Sequence, residues 1–145
     1  IGVLNGTAEA AFQIAYDYGD YENWFPDQIE AEVVSDGAGG RVIGGETRVP
    51  LFRNRHYQMR DQRSTPTMGG MTVYVDTWEY IPDSGNLESS TGYWVVFPHP
   101  NDATKSIVRM VVHADLGMWL PNGILNWGTR RMLPGVVEGI NSQLE

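Results

Sequence analysis

The sequence predicts an α+β fold in which a curved antiparallel sheet wraps around one long C-terminal helix, with two short helices near the N-terminus. Three observations carry that expectation. From Ile29 onward, short segments of alternating polar and apolar residues follow one another across turns, with no helical stretch to act as a crossover. The end of the chain instead places Met132, Val136, Ile140 and Leu144 at every fourth position, joined by Leu133 and Val137, one apolar stripe facing a core. Ahead of the strands, the apolar spacing is helical. One sheet on one helix is a layered arrangement that buries both apolar faces.

The elements follow in order. Ile1–Leu4 reads as a first strand cut short. Thr7 is a good N-cap for a helix that puts Phe12, Ala15 and Tyr16 one turn beyond Ala8 and Ala11, and Gly19 is expected to end it. Tyr21–Phe25 reads as a second short helix, stopped by Pro26. Ile29–Asp36 and Arg41–Val49 read as paired strands, the second bulged at Gly44–Gly45. Arg55–Arg63, Met71–Ile81, Thr91–Phe97 and Lys105–Ala114 complete the set, rich in β-branched and aromatic residues. Pro121 suits the first turn of the final helix, which Pro134 is expected to kink.

Composition narrows the function. The 145 residues fit one domain and carry ten basic against eighteen acidic side chains, a net charge of −8. Eight of the acids fall in residues 1–36, which hold no base, and the remainder is balanced. A chain this acidic, with one lysine, is poorly suited to nucleic acid. No apolar run is long enough to span a membrane, so a soluble protein, cytoplasmic or periplasmic, is expected. The absence of cysteine excludes disulfides, thiolate zinc sites and cysteine nucleophiles. The sequence leaves the oligomeric state open.

A curved sheet gripping one helix leaves a gap that is either packed or kept as a ligand cavity. Tyr74, Trp78, Tyr80, Tyr93, Trp94 and Phe97 all lie on predicted strands, and Trp119 and Trp127 flank the helix start. Core filling is the ordinary role of each such aromatic. As a group, with Met59, Met110 and Met132, they favour an adaptable apolar pocket. Val108, Val112, Leu125 and Val136 join them as expected lining residues.

The segment Asp115–Pro121, followed by Ile124–Asn126, resembles the passage from last strand to lid helix in START domains, with Gly117 and Met118 inverted from the usual order. Val49–Phe52 with Arg53–Arg55 resembles a Pro-containing turn of the same family, His56 replacing its aspartate. Tyr93–Pro98 is similar to its penultimate hairpin, and Tyr18–Pro26 to a stretch of the wider START-like (SRPBCC, helix-grip) superfamily. The ordered series covers the chain from about Thr7 to Ile140. The resemblance implies a helix-grip fold with an internal hydrophobic tunnel that binds or transfers a lipid, sterol or similar apolar molecule. The superfamily also includes polyketide cyclases and receptors of hydrophobic hormones, so an enzyme on the same fold is the alternative.

Candidate polar groups are few. His56, His99 and His113 lack metal-ligand spacing, and no cofactor is expected. Asp76 and Glu79 lie on opposite strand faces and cannot act as one carboxylate pair. Arg41, Arg48, Arg53, Arg55, Arg60 and Arg63 form a basic cluster that either meets anionic headgroups or pairs with the acidic first quarter. Tyr57 and Met59 suggest that odd positions of their strand face inward. Asp61 then enters the cavity as an orienting group, or the inward face ends before it. The segment Leu116–Asn126 reads as a lid, held by Pro121 rather than by long-range contacts. Trp119 there either gates access with a transient membrane contact or anchors the helix in the core.

Overall fold

The computed structural model describes residues 1–145. In chain order its elements are β1 (Gly2–Leu4), α1 (Ala8–Tyr16), a 3-10 turn (Tyr18–Asp20), α2 (Tyr21–Trp24), β2 (Gln28–Gly37), β3 (Gly40–Thr47), β4 (Arg55–Ser64), β5 (Thr67–Met68), β6 (Met71–Thr72), β7 (Tyr74–Tyr80), β8 (Ser89–His99), β9 (Asp102–Asp115) and α3 (Asn122–Leu144).

Local chemistry accounts for the N-terminal elements. The Thr7 hydroxyl accepts the Ala10 N–H at 3.3 Å, satisfying one orphan donor of α1. That helix buries Ala8, Ala11, Phe12 and Ala15 on one face. It stops at Tyr16, before the expected Gly19, because the chain tightens into the 3-10 turn and then α2. The Tyr21 hydroxyl, donating to the Ala15 carbonyl, ties α2 back to α1.

Seven strands form one sheet in the order β1-β9-β8-β7-β4-β3-β2, every neighbouring pair antiparallel. One edge is only three residues long, and the other, β2, carries the exposed Glu30, Glu32 and Asp36. Charge on an edge strand discourages pairing with another chain, so part of the acidic excess serves this purpose. The bulges of the β2–β3 pair fall on β2, at the steps Gln28 to Glu30 and Val33 to Ser35, rather than at Gly44–Gly45. Gly45 has a different role. A Cβ there would collide with the Tyr18 hydroxyl and the Glu30 carbonyl. The expected Met71–Ile81 strand is divided, with β5 and β6 forming a separate small hairpin before β7.

The long helix α3 continues through Pro134 and packs against α1, α2 and β1. One antiparallel sheet is thus packed with one long C-terminal helix and two short N-terminal ones, the layered α+β arrangement expected. Leu4, Phe12, Val96, Val108, Val136 and Ile140 meet in its core at 0–2% exposure. No helix is long and apolar enough to cross a membrane.

Candidate functional site

Strand parity builds the site. On the inner face, β3 offers Arg41 and Ile43, β4 offers Tyr57, Met59 and Asp61, and β7 offers Asp76 and Trp78. β8 adds Ser90 and Trp94, and β9 adds Met110 and Val112. Tyr18, Tyr21 and Phe25 close one side, and Leu116 and Met132 cover the rest. The chamber, open on one side, has a volume of about 190 Å³. It adjoins an outer vestibule of about 520 Å³ between Val49–Pro50 and the first half of α3, lined by Ile124, Leu125, Trp127 and Leu133. Phe25, Met110, Val112, Leu116 and Met132 belong to both. Gly92 keeps the floor flat: a Cβ there would collide with the Trp78 ring, which lies across it. The Trp78 indole N–H donates to the Ser90 hydroxyl at 3.4 Å.

Two polar clusters interrupt the apolar wall. In the first, the Tyr18 and Tyr57 hydroxyls stand 3.0 Å apart, and Gln28 donates to Tyr57 at 3.0 Å. Burial raises the pKa of both phenols above the ordinary value, so both remain neutral donors. In the second, Arg41 Nε donates to Asp61 at 3.0 Å and its Nη2 at 2.6 Å, both groups buried. Its Nη1 donates to the Tyr16 carbonyl at 2.7 Å, and the guanidinium lies 3.7 Å from the Tyr16 ring centre. Asp76 is a diagonal neighbour of Asp61 across β4 and β7, since Asp61 pairs with Trp78 and Arg63 with Asp76. Asp76 is 4% exposed, and its Oδ1 has no hydrogen-bond partner. Burial first, then the charge and hydrogen bonding of Asp61, push its carboxyl up to about 8. No group of three or more His, Asp and Glu side chains is placed to hold a metal ion.

Of the residues expected from sequence, Tyr57, Met59, Asp61, Trp78, Trp94, Met110, Val112 and Met132 stand in the chamber wall, and Leu125 stands in the vestibule. Asp61 points inward and Arg60 outward, the parity that Tyr57 and Met59 require. Six others lie elsewhere. Phe97 has the parity opposite to Trp94 and Val96, and a strand cannot present all three on one face. The Tyr74 ring packs 5.5 Å from Phe12 beneath α1. The Tyr80 hydroxyl accepts the Gly85 N–H at 3.1 Å, away from the chamber. Val108 and Val136 are consumed by the packed core. Trp119 is 81% exposed and neither lines the cavity nor anchors the helix.

Two further expectations need correction. Arg41 pairs with Asp61 rather than with the acidic first quarter, and the other arginines of the basic cluster form no ion pair. The lid is held at long range, because buried Arg55 donates from Nε to the Leu116 carbonyl at 3.0 Å and contacts the Met118 sulfur. Sequence reasoning missed Arg41, Asp76, Tyr18, Tyr21 and Gln28 as wall residues. For Asp76 a signal existed, since it shares parity with Trp78. For Arg41 none did, because its partner is set by strand pairing.

The chain resembles several solved structures. A STAR-related lipid transfer protein from Xanthomonas axonopodis superposes with a TM-score of 0.78 at 17% identity, over 98% of this chain and 81% of that one. This chain has the START helix-grip fold. A START superfamily protein from Mycobacterium smegmatis matches with a TM-score of 0.73 at 10% identity, over 98% of this chain and 92% of that one. The Zhui aromatase/cyclase from Streptomyces sp. R1128 matches at 0.70 and 13%, over 98% and 88%. No family model and no curated protein matches the sequence. The shared START fold therefore spans both a lipid transfer protein and a cyclase.

Proposed function

We propose that this protein binds a hydrophobic small molecule in the chamber between the sheet and the first half of α3. The observation that carries the reading is the chamber itself, an apolar space of about 190 Å³ under a vestibule of about 520 Å³. Ligand sites typically enclose roughly 300–1,000 Å³, so the pair suits one ring system or one acyl chain better than a two-chain phospholipid. Burial of apolar ligand surface, at roughly 25 cal/mol per Å², supplies the affinity. The inner polar clusters orient the ligand. The lipid transfer protein of the same fold supports a carrier role. Exposed Trp119, Trp127 and Leu125 near the mouth support transient contact with a membrane surface during transfer.

Native mass spectrometry of the purified protein after exposure to a lipid extract tests this reading. A single retained species that also raises the melting temperature is the expected result. Retention of nothing, with no thermal shift, overturns it.

One observation favours a second reading. Arg41, Tyr57, Asp61 and Asp76 all reach the inner chamber, a set of groups suited to acid–base chemistry, and an aromatase/cyclase shares the fold. Turnover of a linear poly-β-carbonyl substrate, lost in Tyr57→Phe and Asp76→Asn, would select this reading over a carrier. Absence of turnover with tight product binding would reject it.

A further inference from the structure

The inner chamber wall holds one basic side chain, Arg41, against two carboxyls, Asp61 and Asp76. The Arg41 guanidinium is committed to Asp61 and to the Tyr16 carbonyl. Asp76 is left over. It is 96% buried, it faces the chamber, and its Oδ1 is an acceptor without a donor. A buried acceptor in this condition is costly until something donates to it. The groups facing it from the surrounding elements offer no cation to spare. Asp61 on β4 repels it, and the Tyr21 hydroxyl on α2 is spent on the Ala15 carbonyl. Arg63, its partner across β4, is exposed over the Tyr16 ring and forms no ion pair with it.

The same chamber wall carries the rings of Tyr18, Tyr21, Tyr57, Phe25, Trp78 and Trp94, the last paired with Asp76 across β7 and β8. Aromatic faces attract a desolvated cation through the ring quadrupole. We infer that the chamber selects an apolar amine, bound as its ammonium, with the nitrogen donating to Asp76 Oδ1 and the hydrocarbon body lying among the aromatic and methionine side chains. This rests on the hydrophobic-ligand reading and names its ligand class. A ligand carboxylate would meet Asp61 and Asp76 with no free cation to receive it. A neutral alcohol would satisfy Oδ1 but would gain no charge pairing from ionisation of the carboxyl.

The test is a matched pair, naphthylethylamine and naphthylethanol, titrated by calorimetry against the wild type and Asp76→Asn. The amine is expected to bind the wild type at least about tenfold more tightly than the alcohol at neutral pH, about 1.4 kcal/mol. Asp76→Asn should bring the amine down to the level of the alcohol and leave the alcohol unchanged. Since the variant removes a buried, unsatisfied acid, its melting temperature should not fall, which separates lost binding from lost folding. Ammonium binding must expel the Asp76 proton. Amine affinity should therefore rise with pH, by up to about tenfold per unit, until the carboxyl is ionised near 8, while alcohol affinity stays flat. Equal or tighter binding of the alcohol, or an equal loss of both probes in the variant, overturns the amine inference and leaves the hydrophobic-ligand reading standing. Failure of both probes together with an empty lipid-extract experiment overturns both.

Discussion

The two halves of α3 do opposite things. The second half buries Val136 and Ile140 completely against α1, β1 and the strands beneath, and it closes one end of the fold. The first half leaves Leu125, Trp127 and Met132 at 36–48% exposure above an open space. One continuous helix thus carries a core at one end and a roof at the other. Its sequence follows the same division. Beyond Pro134 the apolar residues keep every-fourth spacing, and Gly135 and Gly139 let the helix approach Pro26 and Trp24. Before Pro134 the stripe is broken by Asn126, Gly128, Thr129 and Arg130, and no face is apolar enough to pack fully. The lesson is that this fold locates its stability at one end and so can leave the other unfilled.

The Arg41–Asp61 pair stands between the two ends, reaching the chamber on one side and α1 through Tyr16 on the other. Breaking it should give the largest effect. Arg41→Met leaves Asp61 buried without its cation and should cost about 3–5 kcal/mol, measured by denaturant unfolding. A loss below about 1 kcal/mol would mean that water reaches Asp61 and that the floor does not divide the ends. Next comes the closed end itself. Ile140→Ala should cost about 2–5 kcal/mol, since a fully buried branched side chain leaves a cavity that neighbours refill only in part.

The comparison also explains how much was legible in the sequence. The closed end was, because burial there follows periodicity: the Val136 and Ile140 stripe, the Ala8–Ala15 face and the Thr7 cap all read directly from local spacing. The open end was legible only through parity. Knowing that Tyr57 and Met59 face inward correctly aims Asp61, and knowing that Trp78 does so aims Asp76 as well. Parity failed where a segment was apolar on both faces, so Phe97 was expected on the face of Trp94. It also says nothing of pairing partners. That Arg41 meets Asp61 depends on the register of β3 with β4, and that Tyr18 reaches Tyr57 depends on the missing side chain at Gly45.

Asp76 sharpens the comparison through pH. Its carboxyl is raised from 3.8 to about 8 in the folded chain, so between those values the folded state holds a proton that the unfolded state has released. Stability should therefore fall as pH rises across this window, by at most about 1.4 kcal/mol per unit from this group, and level off above it. Asp76→Asn should flatten that slope, and a slope unchanged in the variant would assign it to other groups. The effect belongs to the open end, where Asp76 lines the chamber.

The smallest effect is expected from the roof. Leu125 is 48% exposed, so truncating it to alanine removes little buried surface and should change the stability of the free protein by less than about 1 kcal/mol. Its side chain nonetheless lines the vestibule. A ligand that fills that space would bury Leu125, and the truncation should then appear as a reduced ligand-induced rise in melting temperature. Leu125→Ala and Ile140→Ala remove the same number of carbons from the same helix, yet the first should act on the liganded state and the second on the free one. If Leu125→Ala costs the free protein as much as Ile140→Ala, the roof is packed in solution and the two halves of α3 do not differ in kind.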